Sequence, residues 1–328
     1  MIDFWLGALA LTILLYVILD GFDLGVGMLF VLVPDETGRR HMLSAIAPVW
    51  DGNETWLVLN AMILFSAFPL VFATLFSAFY LPMLLMVAAL IFRGVAFEFR
   101  HKSHRMRRVW DAGFVVGSFA ASFIQGMAVG ALVEGLPIAN DHYIGGAFGW
   151  LSSFSLLCGI GLCLGYALLG AGWLTYKTAA DVQALSFRLL PKLLAGVLTF
   201  LAIVFVLALR LHLEVMSRWF DRPILVLFPA IGLFACAVMA WAIARRKELV
   251  PFLCAAAIFA AALGTLAVSF YPYMIPFSIR AEDAAANHTS LAFLFWGAGV
   301  FVLPITVIYT LVVYFIFKGK IEIDGESY

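Results

Sequence analysis

Apolar residues run through this chain in long unbroken stretches rather than in short alternations. The stretches fall at about 4–33, 53–68, 70–97, 110–134, 143–173, 189–213, 223–244, 250–273 and 290–317. Most reach the roughly 20 residues that a helix needs to cross a hydrocarbon core, and none shows the period-two pattern of a barrel strand. The pattern predicts an all-α integral membrane protein with nine transmembrane helices. Asn53 to Arg93 is too long for one crossing at about 1.5 Å per residue and right for two. Pro69, which lacks an amide hydrogen, is the expected break between them.

The connections are short, and no segment has the length or composition of a soluble domain. The 328 residues therefore read as one polytopic membrane domain. Its approximate halves, 1–134 and 143–328, are separated by a polar connection, and each holds about four spans. Helix count and loop length predict two four-helix bundles plus a peripheral helix. The N-terminus, Met1-Ile2-Asp3-Phe4-Trp5, has no basic region and no small-residue cleavage site before its apolar run, so it reads as a retained span.

Composition sharpens this picture. At 64% hydrophobic and 12% charged, with a mean hydropathy of +1.04, the chain lies far from soluble domains. Net charge is zero, so nucleic acid is excluded as a partner and electrostatics must come from placement. Of twenty Lys and Arg, an outside N-terminus leaves four on outer segments (Arg210, Arg218, Arg222, Arg280), Arg93 within a span, and fifteen on cytoplasmic segments. That asymmetry predicts a cytoplasmic C-terminus. Cys158, Cys163, Cys236 and Cys254 lie in apolar runs without a CxxC or CxxCH pattern and read as packing residues. Glycines cluster in the first and fifth spans, where small residues let helix backbones approach closely.

The costly residues are the acids. Asp20 and Asp23 sit three apart in the inner half of the first span, and Asp51 and Glu54 sit three apart at the start of the second. Carboxyl groups in or beside a bilayer need a reason, and lining a proton path is a common one. The plainer reading makes Asp51 a helix N-cap with Glu54 closing a capping box, which leaves Asp20 and Asp23 unexplained. Arg93 is expected to pair with Glu98 or with one of these acids, because a lone guanidinium at that depth is unfavourable. Glu134 and Asp141 read as solvated span ends. Trp50 and Trp56 read equally as interfacial anchors. The segment Tyr271 to Ser278 reads as a proline-broken aromatic exit able to pack on a partner or a lipid-like molecule.

His41, His101, His104, His142, His212 and His288 all fall in loops or at span ends. Holding a b-type haem across a bundle takes axial side chains, usually histidines, on facing helices, so the chain alone is expected to bind no haem. His101 and His104 share a face among Arg100, Lys102 and Arg105, a solvated basic loop rather than a metal site.

The stretches Asp20-Gly21-Phe22-Asp23-Leu24-Gly25-Val26-Gly27-Met28 and Ala47-Pro48-Val49-Trp50-Asp51-Gly52-Asn53-Glu54-Thr55-Trp56, with Phe92-Arg93-Gly94 and Tyr271 to Ser278, resemble subunit II of the cytochrome bd ubiquinol oxidase family. The resemblance covers essentially the whole chain, whose length is similar to that of the shorter members, including the cyanide-insensitive branch. It implies a quinol oxidase of the respiratory chain in a prokaryotic inner membrane, reducing oxygen to water. It also implies a heterodimer with subunit I, which holds two b-type haems and one d-type haem. A structural quinone and a small single-span accessory subunit are further partners in such complexes. By position, Asp51 matches the acid of a cytoplasmic proton path, Trp56 a tryptophan near an oxygen route, and Asp20 with Asp23 an acidic pair. Relatives with histidine at Val49 and glutamine at Glu54 leave those two positions without an implied role. The alternative, a stand-alone proton-coupled transporter, has the same acids and glycine-rich spans; the resemblance favours the oxidase subunit.

Overall fold

The computed structural model describes residues 1–321 apart from Ser103, His104, Asp141, His212 and Arg222, so the expectations for those five positions lie outside it. The first helix, α1 (Ile2–Leu29), continues as a 3-10 turn and leads into a short amphipathic helix, α2 (Glu36–Ser44), whose N-cap Asp35 accepts from the Gly38 N–H. Then come α3 (Trp50–Ala67), α4 (Pro69–Ala78), α5 (Tyr80–Lys102) and α6 (Arg107–Glu134). A hairpin of β1 (Ile138–Ala139) and β2 (His142–Tyr143) precedes α7 (Ser153–Lys177) and α8 (Ala180–Arg210). After α9 (Glu214–Asp221), α10 (Leu227–Ala244) and α11 (Val250–Phe270), strands β3 (Tyr273–Ile275) and β4 (Ile279–Arg280) form a second hairpin. Short α12 (Ala281–Ala284) leads to α13 (His288–Leu294), which passes through a π-helical stretch, Phe295–Val302, into α14 (Leu303–Ile316).

Among the described residues, eight helical segments are long and apolar enough to cross a bilayer, and the α3–α4 pair gives a ninth that bends by 119°. Pro69 does break the chain there, but the following span does not begin at 70. Helix α4 is a separate ten-residue piece, and the crossing starts at Tyr80. At about 1.5 Å per residue, the 18 residues of α3 already cover most of a hydrocarbon core.

Helix α6 packs on both α5 and α7, α7 also holds α1, α8 and α11, α1 holds α3, and α10 lies against α11; the last span touches mainly α3 and its own segments. The first and second halves of the chain meet along α6 and α7 and where α1 crosses α7. There Gly25 lies against the backbone of Tyr166, and a Cβ on Gly25 would overlap that carbonyl; Gly170 returns the contact to Gly25 and Val26. Glycine at this crossing lets two backbones touch, as expected of small residues in lipid. From Leu19 to Gly27 every residue of α1 is buried, so this half of α1 runs through the centre of the protein.

Candidate functional site

The buried half of α1 presents its acids to α3 and α5. Asp20 and Asp23 are essentially unexposed, as is Arg93 of α5 at 2%. Arg93 Nη1 donates to Asp20 Oδ1 at 2.8 Å, and its Nη2 lies 3.6 Å from Glu54 Oε2. The expected Arg93 partner is therefore Asp20, with Glu54 second, while Glu98 is exposed. Asn53 Nδ2 donates to Asp23 Oδ2 at 2.7 Å and to the Leu19 carbonyl at 3.3 Å; the Tyr314 hydroxyl of α14 donates to Asn53 Oδ1 at 2.9 Å. Four polar atoms here have no hydrogen-bond partner: Asp20 Oδ2, Asp23 Oδ1, Arg93 Nη2 and the Trp56 indole N–H. Two are acceptors and two are donors, each buried where leaving it unpaired is costly.

Asp51 stands apart. The N-cap of α3 is Val49, without a side-chain cap, so the capping box expected of Asp51 and Glu54 does not form. Asp51 instead lies in the first turn of α3 and is exposed, while Glu54, one turn later, is half-buried beside Arg93. Three of the four singled-out acids thus share a cluster, and the fourth lies at its rim. Trp56 is wholly buried. Trp50 covers Gly94 and packs on Phe97 with centroids 5.0 Å apart.

A polar stripe continues along α1 away from the acids. Gln125 Nε2 donates to the Tyr16 hydroxyl at 2.6 Å, Tyr166 donates to Gln125 Oε1 at 3.0 Å, and Thr12 donates to Asn60 Oδ1 at 2.6 Å. Sequence reasoning passed over these groups. Thr12, Tyr16 and Asp20 follow one another at i, i+4 and share a helix face, which was the available signal.

Two further expectations change, those for Arg100 and Glu134. Arg100 is not a solvated loop residue: it is 2% exposed and held by Asp111 and Glu36. The aromatic segment after Tyr271 folds on its own chain, where Arg218 donates to the Ser269 and Tyr271 carbonyls, both at 3.1 Å, and stacks over Tyr273 and Phe277. Glu134 is half-buried and accepts from the Ser152 hydroxyl.

The described histidines lie in α2 (His41), in the last turn of α5 (His101), in β2 (His142) and at the start of α13 (His288). No facing pair of these described histidines spans a bundle, so among the described residues no two histidines fit as the axial pair of a haem.

The family model for cytochrome bd terminal oxidase subunit II matches residues 1–317. The chain belongs to that family. It is accordingly a subunit of a membrane-bound oxidoreductase complex, whose partner is subunit I. Cytochrome bd-I ubiquinol oxidase subunit 2 of Escherichia coli (strain K12) is 31% identical over 347 residues, covering 93% of this chain and 91% of that protein. Cytochrome bd ubiquinol oxidase subunit 2 of Bacillus subtilis (strain 168) is 29% identical over 332 residues, covering 98% and 96%. Among solved structures, a chain of the bd oxidase from Geobacillus thermodenitrificans superposes with a TM-score of 0.79 at 18% identity, covering 96% of this chain and 98% of that one, a likeness of fold.

Proposed function

We propose that this chain is the non-haem subunit of a cytochrome bd-type quinol oxidase in a prokaryotic inner membrane. In this reading it works as one membrane domain, supports a subunit I that holds two b-type haems and one d-type haem, and supplies a proton path from the cytoplasm. The end bearing α2 faces the cytoplasm, with the N-terminus outside and the C-terminus inside. Family membership disfavours the stand-alone transporter.

Asp51 is the mouth of the path, Glu54 the next acid inward, and Asp20 with Asp23 its buried end. The supporting observation is the starved cluster around Arg93. With three carboxyl groups to one guanidinium, it is electrically neutral only when it also holds two protons, and uncompensated charge at such depth is costly. Asp20 Oδ2 and Asp23 Oδ1, free of other partners, are the atoms open to a proton. Trp56 flanking an oxygen route, a bound quinone and a single-span accessory subunit are proposed on the resemblance alone.

Asp51→Asn in the assembled oxidase tests the path. Turnover should fall by about a hundredfold, the low end of what losing a positioned proton-transfer group costs, with a changed pH profile. Asp51→Glu should retain turnover. An Asp51→Asn oxidase with unaltered turnover and pH profile would remove Asp51 from the path.

A further inference from the structure

The last span is tied to the bundle unevenly. Helix α14 has no residue that is fully buried, and it is reached through the π-helical stretch. A π-helical turn winds more widely than an α-turn, so the register of α14 is not dictated by α13. Yet α14 delivers the Tyr314 hydroxyl to Asn53 in the acid cluster. Something at the far end must set that register.

Lys177, the last residue of α7, is 6% exposed. Its Nζ donates to the Phe317 carbonyl and, at 3.0 Å, to the Gly319 carbonyl, and it lies over the rings of Trp173 and Tyr176. Gly319 has φ +94°, its N–H donates to the Tyr176 hydroxyl at 3.0 Å, and the Ile321 N–H donates to the Lys177 carbonyl at 3.0 Å. The Phe317 carbonyl, at the C-cap of α14, lies at the negative end of the helix dipole and Gly319 just beyond it, so an ammonium from a neighbouring helix is favoured there. Trp173, one turn before Lys177, stacks on Phe22 at 4.3 Å and meets Tyr314 edge-on at 5.9 Å. One face of α7 thus grips α14 at its end and at its tyrosine.

We propose that Lys177 is a positioning residue for Tyr314: by latching the turn after α14, it sets the register at which Tyr314 holds Asn53 against Asp23. Its consequence for turnover rests on the proton path proposed above. The latch touches no acid directly and acts only through Tyr314 and Asn53.

The test uses the assembled oxidase with Lys177→Met, Lys177→Arg, Gly319→Val and Tyr314→Phe. It reads hydrogen–deuterium exchange of the amides of residues 317–321 and the pH profile of turnover. Lys177→Met should speed that exchange by about tenfold or more, since charge-assisted bonds are lost, and should move the pH profile in the same direction as Tyr314→Phe. Lys177→Arg should restore both. Gly319→Val strains the same turn while leaving every α7 side chain in place and should reproduce both effects, so it carries the test if Lys177→Met fails to assemble. Faster exchange with a wild-type profile, while Tyr314→Phe moves the profile, would overturn the proposal and leave the path standing. A Tyr314→Phe profile identical to wild type would remove Tyr314 from the path and the proposal with it; Asp51→Asn then judges the path separately.

Discussion

Helix α5 carries two buried arginines, seven residues and about 10 Å apart along its axis, and the two live in opposite circumstances. Arg100 is saturated. Its Nε donates to Asp111, its Nη1 and Nη2 donate to the two oxygens of Glu36 at 3.2 and 2.9 Å, and its guanidinium lies 5.3 Å from the Phe30 ring. The second Asp111 oxygen accepts from Arg39 at 2.7 Å, and Arg39 Nε donates to the Val33 carbonyl. Arg93 makes one hydrogen bond and one long ion pair, and the acids around it outnumber it. The filled network fastens α2, α5 and α6 together, and its rim reaches solvent, which screens any imbalance. The starved one reaches solvent only at Glu54, with Asp20, Asp23 and Arg93 shut away from it, and its open atoms are what a group that exchanges protons requires.

Removing each arginine is the most direct way to break this contrast. Arg93→Met leaves Asp20, Asp23 and Glu54 without their cation, and stripping one partner from a buried pair costs about 3–5 kcal/mol. Little assembled oxidase should be recovered, and what is recovered should melt well below wild type. Adding Asp20→Asn should regain part of the loss, because it removes a charge that Arg93 had compensated. An Arg93→Met complex that assembles and melts as wild type would show that the cluster is not under electrostatic tension.

Arg100→Met should be milder. Asp111 keeps Arg39, and Glu36 keeps Arg40 and Arg107, each at 3.3 Å. The expected cost is about 1–3 kcal/mol, the range for buried acceptors that lose one charged donor. It should appear as a lower melting temperature of the assembled complex with turnover per complex unchanged. A drop in turnover at full assembly would erase the division between a fastening network and an exchanging one.

The same contrast explains what could be read in the sequence. Run length was enough for the crossings, eight plus the bent α3–α4 pair among the described residues, because bilayer thickness fixes helix length locally; the packing of α6 on α7 across the two halves was not legible from it. The buried acids and the need of Arg93 for a partner were legible from cost alone. Hydropathy has no direction, so apolar α4 looked like the start of a crossing although the chain turns aside there. Arg100 looked solvated because its neighbours in sequence are basic, whereas its partners Glu36 and Asp111 lie 64 and 11 residues away. Tyr314 meets Asn53 across 261 residues and Lys177 meets Gly319 across 142; no local pattern announces either. Asp51 misled for a different reason: an acid three before a glutamate fits a capping box, but the helix begins two residues earlier than that box requires, with Val49 at its N-cap.

The finest test of the contrast is acid titration of the filled network through Glu36, which lies in α2, outside the spans. Burial alone would push the Glu36 carboxyl up, but the hydrogen bonds and charge of Arg100, with Arg107 and Arg40, outweigh it and hold the group below its ordinary value of 4.5. A carboxylate whose folded value is depressed adds stability that is fully present above the unfolded value and is lost as pH falls through the folded one. The melting temperature of wild type should therefore fall more steeply than that of Glu36→Gln as pH drops through and below that ordinary value, and the two curves should converge at the acid end. Because the Glu36 side chain is about one-third exposed, solvent screening limits the difference at neutral pH to about 1 kcal/mol or less. Parallel melting curves across that window would mean that the Glu36 pairs contribute nothing measurable, leaving Asp111 to bind Arg100 alone.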